Sequence, residues 1–347
     1  MVVLLTATLS LYQVAIALFV GLCVVEFYVG VKEKLAVVEI LSVAAQRVGQ
    51  LLGAGMLYFL TTYQMVVEHR GDLYPLNGHW FEEVCRKFVF SMDKISVLAL
   101  SGAQWLCTGV LIVSLAGFVF FIKNIPGLKG GRQGKFVVAL MYMLGLPVLV
   151  LAVPGVMLFL VEPNLEARNY MAFSAVLVFL FMLSSEMLAR IQPNLRLLLA
   201  VPVLFMFTLS YAYGQVIIAK KELESALAQY LAYDLVSHAE LRQVNRFYYV
   251  GPTEGGNWLP RGYAALTYMP LLTYILSESN VALHAEFLTR QGIVNVLSGS
   301  REVFNAAVAA GTEKAVLDSK FYSIYLHDDD AFIVMKDLVG PQNYNAN

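Results

Sequence analysis

Two carboxylates and two cations stand side by side between His79 and Ile95: Glu82 and Glu83, then Arg86 and Lys87. A carboxylate can take the proton of an attacking hydroxyl, and an arginine beside a lysine can hold a phosphate through charge-assisted hydrogen bonds. The apolar residues Trp80, Phe81, Val84, Cys85, Phe88 and Met92 recur among them at helical spacing. The segment therefore reads as an amphipathic helix lying in the outer membrane interface. The same charges also fit two i,i+4 ion pairs on a solvated face, Glu82 with Arg86 and Glu83 with Lys87, and this plainer reading is preferred.

Other polar residues sit where a membrane would make them conspicuous. Tyr12 and Gln13 fall inside a long apolar run. A glutamine there must find a partner, either a helix-to-helix hydrogen bond or a ligand in a water-filled cavity. Glu26 and Glu186 fall near the other ends of their runs, within reach of water or a base. Arg168, at the edge of a short loop, can meet a lipid phosphate or simply snorkel, and snorkelling is preferred. In the C-terminal part, Trp258 closes the glycine-rich stretch from Gly251, where an indole can stack on a sugar, although a structural turn is the preferred reading. His327-Asp328-Asp329-Asp330 lies between two β-rich runs and reads as a hairpin turn rather than a metal site. No nucleophile elbow, zinc-binding helix, phosphate-binding loop or dinucleotide fingerprint occurs.

The elements that carry these residues follow from composition. The 347 residues are 59% hydrophobic and only 14% charged, with a mean hydropathy of +0.66, whereas soluble domains are about one-quarter charged. Six apolar runs are long enough to cross about 30 Å of hydrocarbon as helices: 3–29, 50–67, 96–122, 136–161, 170–189 and 197–218. Pro147, Pro154 and Pro202 are expected to kink their spans. Residues 219–347 carry 10 Lys/Arg and 14 Asp/Glu with turn residues between short apolar runs, the profile of an aqueous domain. The expected fold is a polytopic α-helical membrane protein, 1–218, with a C-terminal α/β extramembrane domain, 219–347. Lys220 to Arg242 is expected to continue the last span as a helix, and Phe247 to Val250 to form a strand.

A net charge of -1 without a basic face argues against nucleic acid. The three cysteines, Cys23, Cys85 and Cys107, have no spacing that implies a disulfide framework or a metal site. The opening segment lacks the basic start of a signal peptide and reads as a retained span. Loop charge gives a direction. The loops 31–49, 123–135 and 190–196 hold nine Lys/Arg, against five in 68–95 and 162–169, so the first set is expected in the cytoplasm. Six spans then put both termini outside, and the C-terminal domain becomes periplasmic.

Ser10-Leu-Tyr-Gln-Val-Ala-Ile-Ala17, Leu57-Tyr-Phe-Leu60, Tyr211-Ala-Tyr-Gly-Gln215 and the strand end Tyr249-Val-Gly251 together resemble the integral-membrane glucosyltransferases that modify bacterial O-antigen, including the phage-borne seroconverting type. The resemblance is diffuse and runs through most of the chain. It implies a GT-C-type enzyme of the bacterial inner membrane that takes glucose from a polyprenyl-phosphate donor, with no other cofactor and no metal, and adds it to lipid-linked O-antigen. Such systems also include a donor-forming glucosyltransferase and a small flippase. Family members have further N-terminal spans and an acidic pair in the first periplasmic loop, which nothing here matches; the chain is read as a form lacking those spans. On this reading Arg86, Lys87 and Arg168 face the phosphate, Tyr12 and Gln13 line the cavity, Trp258 contacts the sugar, and Glu82 or Glu83 serves as base. The competing expectation is a non-catalytic membrane remnant or a component that binds or carries a lipid-linked sugar.

Overall fold

The structure is a computed structural model and describes residues 1–65, 73–76, 78–100, 103–161, 167–251, 259, 262–272, 276, 288–289, 291–309 and 315–336. Two compact units divide the chain, Met1–Phe205 and Met206–Asn347. Among the described residues six helices are long and apolar enough to cross a membrane.

In the first unit the principal helices are α1 Val2–Leu11, α2 Ala15–Lys32, α3 Val37–Leu60, a short α4 Thr62–Met65, α5 Trp80–Leu100, α6 Gln104–Ile122, α7 Arg132–Ala152 and α8 Phe173–Ile191. Several boundaries differ from those read in the sequence. The first apolar run is two helices separated by an extended Tyr12. Val2 touches the Gly53 position, Thr6 bonds the Ala54 carbonyl, and Ser10 lies 2.7 Å from Thr62. Helix α1 therefore runs beside α3 in the same direction, and α2 returns along it, with Glu26 on Arg47 and Gly30 against Ile40. At 1.5 Å per residue, α1 reaches about 15 Å, half a bilayer core.

The second apolar run begins well before residue 50. Glu39, Gln46 and Arg47 lower its hydropathy, yet Glu39 accepts from the Ala36 backbone N–H at the helix start and Arg47 is paired with Glu26, so the helix extends back to Val37. Pro147 lies inside α7, Pro154 follows its end, and Pro202 falls in the first turn of the last long helix, α9 Ala200–Ser237.

Tyr28 centres the bundle. Its hydroxyl donates to the Tyr142 carbonyl at 2.6 Å, and the Tyr142 hydroxyl donates to the Phe118 carbonyl at 2.8 Å. The rings of Tyr28, Phe118, Tyr142 and Phe179 pack together in the core, joining α2, α6, α7 and α8. Small residues allow the close crossings: a Cβ at Gly21 would lie 2.7 Å from Ala175 Cβ, and one at Gly117 would lie 2.9 Å from the Leu183 carbonyl oxygen.

The second unit begins within α9, because Tyr213 and Val216 pack on Leu272 and Leu276. Its sheet comprises β1 Arg246–Val250, β2 Val296–Ser298, β3 Ala315–Asp318, β4 Tyr322–His327 and β5 Asp330–Met335, in the order β2-β1-β5-β4-β3. β1 is parallel to β2 and β5, whereas β3, β4 and β5 are antiparallel neighbours. Alternation sorts the two faces. Phe247, Tyr249, Ile333 and Met335 pack with Leu227, Leu231 and Leu235 of α9; Val250, Phe332 and Val334 pack with Phe304 and Ala307 of α11, Arg301–Ala309. A shorter α10, Gly262–Tyr268, precedes β2. Leu223 of α9 packs against the same core as Leu227, whereas Tyr230 is exposed. Asp328 and Asp329 form the two-residue turn between β4 and β5, with φ of 52° at Asp328.

Candidate functional site

The helix expected over 79–95 is present as α5, but its buried face is turned from the one that apolar spacing indicates. Phe81 and Cys85 are exposed, whereas Lys87, Ser91 and Ile95, one turn apart in succession, are buried. Lys87 is buried because every direction around its ammonium is compensated. It donates to the Leu160 carbonyl, lies 3.4 Å from Glu83, and sits 4.8 Å from the centre of the Tyr74 ring, so an ion pair, a hydrogen bond and a ring face replace its water. The Leu160 and Tyr74 partners are held in place by Tyr74 N–H donating to the Phe159 carbonyl at 2.7 Å, by the bridge from Leu73 to Leu160, and by Trp80 stacking on Phe159.

The ion pairs also differ from those expected. Glu83 receives both Arg86, through Nε at 2.8 Å and Nη2 at 2.5 Å, and Lys87. Glu82 lies instead 3.6 Å from His79 and is exposed. The geometry follows from the turned face: Glu83 shares the inner side with Lys87, while Glu82 points to solvent. The Arg86 hydrogen bonds hold the Glu83 carboxyl below its ordinary pKa of 4.5, and Glu83 raises the Arg86 guanidinium in turn. Glu83 is therefore a charge partner that stays ionised, and Glu82 is the carboxylate open to solvent.

A second polar group adjoins the first through the turn Ala167–Tyr170. The Tyr12 hydroxyl donates to Asn169 Oδ1 and lies 3.3 Å from the Arg168 carbonyl. Asn169 and Tyr170 are buried, and Tyr170 lies against Ile95 and Val153. The Tyr170 and Ser91 hydroxyls are buried beside each other without a hydrogen bond of ordinary geometry. Gln13 Nε2 donates to Tyr58 Oη at 2.6 Å, the helix-to-helix bond that was one of its two expected roles. Tyr12, Asn169, Tyr170, Ser91, Lys87, Glu83 and Arg86 thus form a nearly continuous polar path at one end of the bundle. Arg168 contributes its backbone carbonyl to this path, and its side chain is exposed. Trp258 lies outside the described residues.

Sequence reasoning missed Tyr58, Tyr74, Ser91, Asn169 and Tyr170. Ser91 had a signal, being a small polar residue four positions from Lys87 on a helix. Tyr58 and Tyr74 had none, because aromatic residues near span ends are ordinary interface residues.

Glu26 and Glu186 are ion-paired towards the opposite end. Glu26 accepts two hydrogen bonds from Arg47, both 2.8 Å, and Glu186 lies 3.7 Å from Lys32 and 3.3 Å from Arg196. No protein-family model, curated protein or solved structure matches this chain.

Proposed function

We propose that the protein is a GT-C-type membrane glycosyltransferase of the bacterial inner membrane. It transfers glucose or a similar hexose from a polyprenyl-phosphate donor to lipid-linked O-antigen at the periplasmic face. The observation that carries this reading is the polar path from Tyr12 to Arg86, set at the end of the bundle away from the basic loops. In the reaction the acceptor hydroxyl oxygen bonds to the anomeric carbon as the bond from that carbon to the phosphate oxygen breaks. The hydroxyl proton passes to a carboxylate, and polyprenyl phosphate leaves. Arg86, whose side chain is 72% exposed, presents its fork to that phosphate. Lys87 holds Glu83 in place, and Glu82 is the carboxylate open to take the proton. Tyr12 and Gln13 line the sugar side, and Arg168, whose side chain is exposed, stands with Arg86 on the phosphate side.

One observation favours a second reading, a protein that binds or carries a lipid-linked sugar without chemistry: Glu83, the less exposed of the two carboxylates, is engaged by two cations. Proteoliposomes supplied with polyprenyl-phosphate glucose and a lipid-linked O-antigen acceptor separate the two. The enzyme reading expects glucosylated acceptor from the wild type and a loss of at least about tenfold in rate for Arg86→Ala, equivalent to roughly 1.4 kcal/mol of transition-state stabilisation. Donor binding with no product would select the second reading. Full activity in Arg86→Ala would remove this cluster from the site.

A further inference from the structure

A cavity of about 470 Å³ lies between α2, α3 and α7, towards the end of the bundle opposite the polar path. Its volume falls within the roughly 300–1,000 Å³ of ligand pockets. Its walls include Phe19, Val24, Val43, Ala44, Leu144 and Val148, and Val48, Leu144 and Val148 at its rim are exposed, so it opens sideways from the bundle. The ionisable pair in its wall is Glu26 with Arg47. By helical rise, Glu26 stands about 9 Å from the end of α2 at Lys32, and Arg47 about 15 Å from the start of α3 at Val37. In a membrane such a pair would face hydrocarbon across an open cavity, at considerable cost.

Two features say what should fill the space. Lateral opening and apolar walls suit an aliphatic chain. The adjoining end of the bundle is basic: Lys34, Lys129 and Arg132 are exposed there, and Val37, whose N–H donates to the Lys129 carbonyl at 3.0 Å, is one helical turn from Ile40 in the cavity wall. Lys32 and Arg196 at this end are engaged by Glu186, while Glu33 and Glu39 are the other acids nearby, so basic residues remain in excess. Basic pockets between membrane helices on the positive side take anionic head groups. Arg47 uses three of its five N–H donors, two on Glu26 and one on Gln50, which leaves donors for the ester carbonyls of a lipid.

We propose that this cavity holds an acyl chain of an anionic phospholipid whose phosphate rests on Lys129, Arg132 and Lys34. The site is separate from the polar path and does not depend on the function assigned to it. Native mass spectrometry of the full chain, with phosphatidylglycerol or phosphatidylcholine added to the micelles, tests it. The wild type is expected to retain phosphatidylglycerol roughly tenfold better than phosphatidylcholine. Ala44→Trp, which fills the cavity, should abolish retention of both lipids. Lys129→Gln with Arg132→Gln, on exposed residues whose replacement leaves the fold intact, should remove roughly tenfold of the preference while chain binding persists. Equal retention of the two lipids by the wild type, or an undiminished adduct in Ala44→Trp, overturns the proposal. In a Cys85→Ser, Cys107→Ser background, a bis-maleimide link between Cys23 residues of two copies would overturn it as well, assigning the cavity to a second copy.

Discussion

Lys87 shows how one residue can be placed by its partners against the pattern of its neighbours. Apolar spacing puts Trp80, Phe81, Val84, Cys85, Phe88 and Met92 on one face, yet α5 turns Lys87 and Ser91 inward, because a carbonyl, a carboxylate and a ring wait there for an ammonium. Those partners come from residues 74 and 160 and from the helix itself. No spacing rule connects such distant positions, so the charges were legible and their pairing was not. The two cations should consequently differ in what they do for stability. Lys87→Met is expected to destabilise the bundle by about 1–3 kcal/mol, since it leaves a buried carbonyl unpaired. Arg86→Ala, at an exposed pair, should change stability little. Unfolding of the two variants in micelles by increasing denaturing detergent checks this. A Lys87→Met protein as stable as the wild type would show that the buried contacts do not hold α5 in place.

Among the elements, those legible in the sequence are the ones whose periodicity acts alone. The strand at Phe247, the helix from Lys220 and the hairpin around Asp328-Asp329 were all readable, because alternation, an apolar stripe and turn residues are local signals. The early start of α3 was hidden, since Arg47 and Glu39 lower hydropathy but are answered by Glu26 and the Ala36 N–H. The break at Tyr12 was also hidden, because no proline or glycine marks it and its cause is the pairing of Ser10 with Thr62 and of Tyr12 with Asn169. The hairpin offers a test of local control. Asp328 sits at φ 52°, a region open to Asp and Gly and costly for a β-branched residue. Asp328→Gly should leave the hairpin at or slightly above wild-type stability, and Asp328→Val should lower it by about 1–2 kcal/mol. Hydrogen exchange at the Tyr325 and Phe332 amides, which face each other across the ladder near the turn, reports it. Equal protection in Asp328→Val and the wild type would mean that the turn does not set the register.

At the scale of the molecule, the asymmetry of charge is the property that the fold concentrates. Once α3 reaches back to Val37, Arg47 leaves the loop count and joins Glu26 within the bundle. The end that remains basic carries Lys32, Lys34, Lys123, Lys129, Arg132, Lys135, Arg190 and Arg196, and it is knit together by Val37 on Lys129, Lys135 on the Pro126 carbonyl and Arg190 over the Phe120 ring. Positive charge of this kind is retained in the cytoplasm. Cys85, exposed on α5, belongs to the other end and should face the periplasm. A membrane-impermeant maleimide added to intact spheroplasts is therefore expected to label Cys85 in a Cys23→Ser, Cys107→Ser protein. In the cysteine-free background the same reagent should leave Lys129→Cys unlabelled until the membrane is opened. The reverse pattern would invert the molecule and move the polar path to the cytoplasmic face, out of reach of a periplasmic acceptor. Labelling of both positions in sealed spheroplasts would show instead that these helices do not separate the two compartments.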